Sequence, residues 1–268
     1  DVMTSDLRQR VRQAMPLLEN GQREFEDRTG INIETDIDRV VACFAAGNDG
    51  TPWIPLVLAR GRFNEVKIEA LMRDRGGHVE DYKSKRLVVG AGRDSHRFAL
   101  TFVQPGLVAV GDPGLVRATI DLQGGGESAA NNPELMNLVG ALDDNANAWA
   151  VGRFDALRSS ARLPAALAER LPPITWFSVS GRVNGGINGV VRAETRDEAA
   201  AADLRDVVRG FIALAKLQAG SSPQLQEMMQ SLDLAGTGKT VALSFSVPPG
   251  AFDALGAMRQ RRDAPPSR

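Results

Sequence analysis

The sequence predicts an α+β fold built from two similar halves, each an antiparallel or mixed sheet with attached helices. Three observations predict it. Apolar runs that read as strands, "WIPLVLAR", "ANAWAV" and "TVALSFSVPP", each lead into a glycine, one residue, a phenylalanine and Asp or Asn. These are Gly61–Asn64, Gly152–Asp155 and Gly250–Asp253, and helix-forming sequence follows. A hairpin pattern that runs on into a helix occurs twice, at "RFALTFVQPGLVAVGDPGLVRATIDL" and at "ITWFSVSGRVNGGINGVVRAE". Within the second, apolar and polar positions alternate, as in a sheet with one covered face and one open face.

In chain order, the segment up to about Arg28 reads as a long helix. "NIETDID" is then a loop that caps it and leads into the strand "RVVACFAA". After "WIPLVLAR", Gly61 lets the chain leave the strand without a Cβ clash, and Asn64 caps the helix "EVKIEALMRDR". Phe63 precedes the cap and Ile68 lies four residues beyond it, the arrangement of a hydrophobic staple. Asp155 and Asp253 are the equivalent caps and Phe154 and Phe252 the equivalent apolar residues. Ser159 and Ala257 replace Ile68 there, so those staples are weaker. The stretches "RGGHVEDY" and "GRDSHRF" read as polar loops around one extra strand, "RLVVGAG", near residues 86–92. Pro105-Gly106 is the first hairpin turn, and Asp112-Pro113 opens the helix after it. Residues 122–134, "LQGGGESAANNPE", form a glycine-rich link, and Asn132-Pro133 starts the helix "PELMNLVGAL". Asn184-Gly185-Gly186 is the second hairpin turn, and residues 196–230 are long helices. The expected organisation is a first half at 1–125, a second half repeating it at 126–258, and a flexible tail at 259–268.

Composition narrows the function. A formal net charge of −1 over 268 residues provides no field for nucleic acid or an anionic surface. Arg8, Arg10 and Arg12 have no interleaved aromatics and read as a solvated helix face. No apolar run reaches the roughly 20 residues that cross a bilayer, so no transmembrane segment is expected in this chain. The single cysteine, Cys43, excludes an intramolecular disulfide and reads as a buried structural thiol. The opening "DVMTSDLRQ" has no initiator methionine, as in a mature form freed of a leader.

The candidate sites are few. Gly238-Lys239-Thr240 has the letters of a phosphate-binding loop, but the position that needs the first glycine holds Asp233. The sequence beyond Thr240 is also β-rich, without a helix to receive the anion, so Gly236 and Gly238 read as a turn from helix to strand. In a strand, Asn32, Glu34, Asp36 and Asp38 would share one face and call for a cation or Arg39. They lack the glycine and the distant glutamate of a calcium loop. Asp143, Asp144 and Asn145 read as a polar turn at a helix end. His78 and His96 could meet across a hairpin, with Asp81 or Asp94, as a zinc or acid–base pair; two surface imidazoles in turns are the alternative. Val207–Leu217, the apolar half of a long helix, could cover a sheet, line a cavity or meet a partner helix, with sheet cover expected. There is no Gly-x-Ser-x-Gly, His-Glu-x-x-His, Cys-x-x-Cys or dinucleotide fingerprint. No catalytic, cofactor or metal residue is therefore assigned.

The stretch "REFEDRTGINIETDIDRVVA", with the later strand–GRF–helix units, resembles bacterial exported cell-envelope proteins of unknown function. The resemblance covers most of the chain in layout, implies a periplasmic or otherwise extracytoplasmic location, and supplies no activity. The expectation is a non-catalytic binding or assembly protein with an unidentified protein partner. The alternative is a carrier of a small apolar ligand held between sheet and helix.

Overall fold

The computed structural model describes residues 26–45, 54–91, 97–154, 171–184, 186–218 and 223–251. The described residues divide into two compact units at Asn131/Asn132. Asp155, Asp253, Phe252, Ser159, Ala257, His96, Gly185, the three N-terminal arginines and the tail lie outside the described residues.

In the first unit, helical residues 26–29 precede a helical turn, α1 (Ile33–Asp36), and β1 (Ile37–Ala45). There follow β2 (Ile54–Gly61), α2 (Glu65–Asp74), β3 (His78–Tyr82), β4 (Lys85–Ala91), β5 (Arg97–Gln104), β6 (Leu107–Gly111) and α3 (Pro113–Gln123). Its strands form one antiparallel sheet in the order β1-β2-β6-β5-β4-β3. Local sequence fixes the helix starts. Asn64 Oδ1 accepts the Lys67 N–H at 3.0 Å, and Asp112 Oδ1 accepts those of Gly114 and Leu115 at 2.7 and 3.2 Å. Each helix then covers one face of the sheet. Val116 and Ile120 of α3 pack on Leu87, Val89 and Ala99. On the other face, Ile68 and Met72 of α2 pack with Phe63 on Ala59, Leu100 and Val108, which places both members of the expected staple in one cluster.

Two expectations for this unit need correcting. "HVEDY" is an edge strand and not a loop: Lys83 and Ser84, both at positive φ (46° and 64°), turn it directly into β4. Cys43 is exposed and not buried, because β1 is the other edge strand. Val40, Val41 and Phe44 on the same strand are exposed with it. The motif glycine at Gly61 is needed for closeness. Its N–H bonds Gly106 O at 2.9 Å, the Arg62 N–H bonds Asp36 O at 2.7 Å, and a Cβ on Gly61 would stand 2.0 Å from Asp36 O.

The second unit comprises α4 (Pro133–Gly140), β7 (Ala148–Arg153), β8 (Ile174–Val183), β9 (Ile187–Thr195), α5 (Glu198–Gln218), α6 (Pro223–Gln230), β10 (Asp233–Ala235) and β11 (Thr240–Val247). Asn132 caps α4 through Leu135 N–H at 3.1 Å. The sheet is again antiparallel, ordered β10-β11-β9-β8-β7. Ala201, Leu204 and Val208 of α5 pack with Ala193, Leu234 and Val241 on one face. The GRF strands do not take equivalent places in the two sheets. β2 lies beside β6, the second strand of its hairpin, whereas β7 lies beside β8, the first. The place next to the second hairpin strand is filled in this unit by β11, which leads into the third motif copy.

Candidate functional site

Gly236–Lys239 connects two strands, β10 and β11; it is not a turn from helix to strand. Gly236 and Gly238 have φ of 106° and 56°. Arg205 of α5 fills the concavity, its Nη2 donating to the carbonyls of Gly236, Gly238 and Thr240 at 3.4, 3.2 and 3.0 Å. A phosphate cradle converges N–H groups on an anion. Here carbonyls converge on a cation, and the loop is a structural turn.

The acidic run is not extended. Asp36 Oδ2 accepts the Asn32 N–H at 2.9 Å, closing α1, and Asn32 Nδ2 donates to Glu26 Oε1 at 2.9 Å. Arg62 donates to the Thr35 carbonyl and pairs with Asp36 at 3.5 Å. Asn32 and Asp36 are thus tied together around α1, and Asp38 stands exposed at the start of β1. Asp143 folds on itself, Oδ1 accepting the Asn145 N–H at 2.9 Å, in the polar turn expected after α4. Among the described residues no group of three His, Cys, Asp or Glu side chains could hold a metal ion.

His78 does have an acidic neighbour, though one the spacing did not suggest. Its Nε2 lies 2.9 Å from Glu80 Oε1, on the same face of β3. Glu80 also receives Arg117 of α3, and Arg97 stands 3.7 Å away. Two residues on, the Tyr82 hydroxyl donates to both oxygens of Asp121 at 3.0 and 3.1 Å, and Lys83 Nζ pairs with Asp121 at 2.7 Å. Both carboxylates are thus occupied in docking α3 to the edge strand. The His78 and Arg117 hydrogen bonds hold the Glu80 carboxyl below its ordinary range, and the Lys83 and Tyr82 hydrogen bonds do the same for Asp121. Carboxyls depressed in the fold stabilise it fully above their unfolded values and lose that stabilisation as pH falls through the folded ones. Hydrogen exchange of the α3 amides should therefore accelerate below about pH 4 relative to those of α2, whose cap Asn64 does not titrate. Equal protection of the two helices at pH 3 and pH 6 would show that these contacts do not hold α3.

Two further features depart from the sequence reading, which expected Val207–Leu217 to cover a sheet and the polar face of the second sheet to stand open. The first is the second half of α5. Sheet cover ends near Val208, and Phe211, Leu214 and Leu217, spaced three apart, are 43%, 51% and 82% exposed. Helical periodicity shows such a stripe but not what covers it. The second is the face of the second sheet turned away from α5. Its buried residues on β8 are serines, Ser178 and Ser180, and Arg192 stands directly across from Ser178 on β9. Alternation marked this face as the open one, and burial of its hydroxyls is a tertiary effect. Compared with models of protein families, with curated proteins and with solved structures, the chain matches none.

Proposed function

We propose that the chain is a non-catalytic binding or assembly protein of the bacterial cell envelope, acting outside the cytoplasm as the resemblance in layout implies. The observation that carries the binding role is the stripe of Phe211, Leu214 and Leu217. Scattered exposed apolar residues are ordinary. Three on one side of a single helix form a surface suited to an apolar groove on a partner protein. Consistent with an aqueous location, no described helix is long and apolar enough to cross a membrane.

Native mass spectrometry of the protein isolated from its own host tests this reading. The expected result is a noncovalent complex with a second polypeptide that dissociates on denaturation and is absent from a Phe211→Glu, Leu214→Glu variant of unchanged circular dichroism. A bare chain, or a complex that the variant retains, would overturn the assignment of this surface.

A further inference from the structure

We propose that the face of the second sheet turned away from α5 binds the carboxylate of a small organic acid, with Arg192 as the cationic clamp and Ser180 as a second donor. This site is independent of the α5 stripe, which belongs to the helix on the opposite face.

The cross-strand register builds the site. One row runs Trp149, Ser180, Val190, Ser244 across β7, β8, β9 and β11; the next runs Val151, Ser178, Arg192, Ala242. Directly paired residues share a face, so these eight side chains lie together, with Ser180 diagonal to Arg192. Ser180 is 2% exposed. Its Oγ and the Nη1 of Arg192 are both shut off from solvent, and neither has a hydrogen-bond partner among the described residues. Folded chains rarely leave such donors unmet, because an unpaired buried guanidinium N–H loses its hydration without return. An oxyanion is the group that satisfies a guanidinium and a hydroxyl together.

Charge selects the class of anion. Glu194 lies two residues from Arg192 on the same face, with Oε1 accepting the Thr240 hydroxyl at 3.1 Å. The site therefore already holds one acidic side chain, bonded to a neutral hydroxyl. A singly charged carboxylate is therefore favoured over a doubly charged phosphate. The surrounding residues select the remainder of the ligand. Trp149, Val151, Val190 and Ala242 give it an apolar floor, and Trp149 is half exposed at the edge strand, where a ligand can enter.

Titration of the full-length protein with octanoate and with benzoate, followed by tryptophan emission, tests the site. Saturable binding is expected for at least one acid, with octanol and inorganic phosphate each at least about tenfold weaker. Arg192→Gln should weaken the acid about tenfold or more, as loss of a charge-assisted hydrogen bond does, and Ser180→Ala several-fold. Without added acid, Arg192→Met should melt at or above the wild type, since it removes the buried, unpaired Nη1. Saturation by neither acid, octanol binding as well as octanoate, or phosphate binding as well as either acid would each overturn the proposal. So would an Arg192→Gln variant with unchanged affinity, or an Arg192→Met variant that melts lower. Should the Arg192 variants not fold, unchanged affinity in Ser180→Ala would be decisive against the site.

Discussion

Replacing Gly61 with alanine is expected to lower the thermal midpoint by roughly 10 °C or more, for a loss of about 3 kcal/mol. The added Cβ would meet Asp36 O at 2.0 Å and the Ile37 Cα at 3.0 Å, both backbone atoms that no rotamer can move. Relief requires the end of β2 to separate from α1. That movement breaks the Arg62 N–H bond to Asp36 O and strains the Gly61 bond to Gly106 O. Gly140→Ala is the control. It lies at the end of α4 with nothing within 4 Å of the new methyl, and should be neutral or slightly stabilising. Calorimetry of both variants reads the difference. Equal midpoints would mean that the first motif glycine is replaceable and that the close approach does not hold in solution.

The second large effect is expected at Gly236, where alanine should cost on the order of 3 kcal/mol. There φ is 106°, and a Cβ would sit 2.4 Å from Thr240 O and 3.0 Å from Ala242 N. The turn would have to open, breaking the pairing of Ala235 with Ala242 and moving the carbonyls away from Arg205. Lys239→Ala should change stability by less than about 0.5 kcal/mol, because the lysine is exposed and its structural contribution is a backbone carbonyl held by Thr195 N–H. The two variants separate a turn from a phosphate loop: in a phosphate loop the lysine would be the critical residue. Denaturant unfolding measures both, and a large loss at Lys239 with none at Gly236 would contradict the turn.

What could be read from the sequence was local. Asn64, Asp112 and Asn132 cap helices because a short polar side chain ahead of a helix-forming run, two of them followed by proline, needs no distant partner to do so. Hairpin turns at Pro105-Gly106 and at residues 184–186 are set by the same short-range chemistry. Strand β3 is not legible locally because its face toward α3 carries Glu80 and Tyr82, whose partners Arg117 and Asp121 lie far along the chain. Three-residue β10 is too short to show a period. The exposure of Cys43 and the burial of Ser178, Ser180 and the Arg192 Nη1 follow from which strand ends at a sheet edge and which face is covered. Sheet order decides both, and no single stretch of sequence encodes it.

The position of β1 and β2 also bears on how the chain is made. Their neighbour β6 pairs Gly111 with Leu56, so residues 57–110 must leave the ribosome before the third strand is available. At about 5–20 residues per second, the β1–β2 pair waits on the order of seconds in a form that is marginal in water. During that interval the exposed Val40, Val41 and Phe44 are joined by the β2 residues that β6 later covers. Slow translation through this region would lengthen the period in which nascent chains can pair with one another through β1.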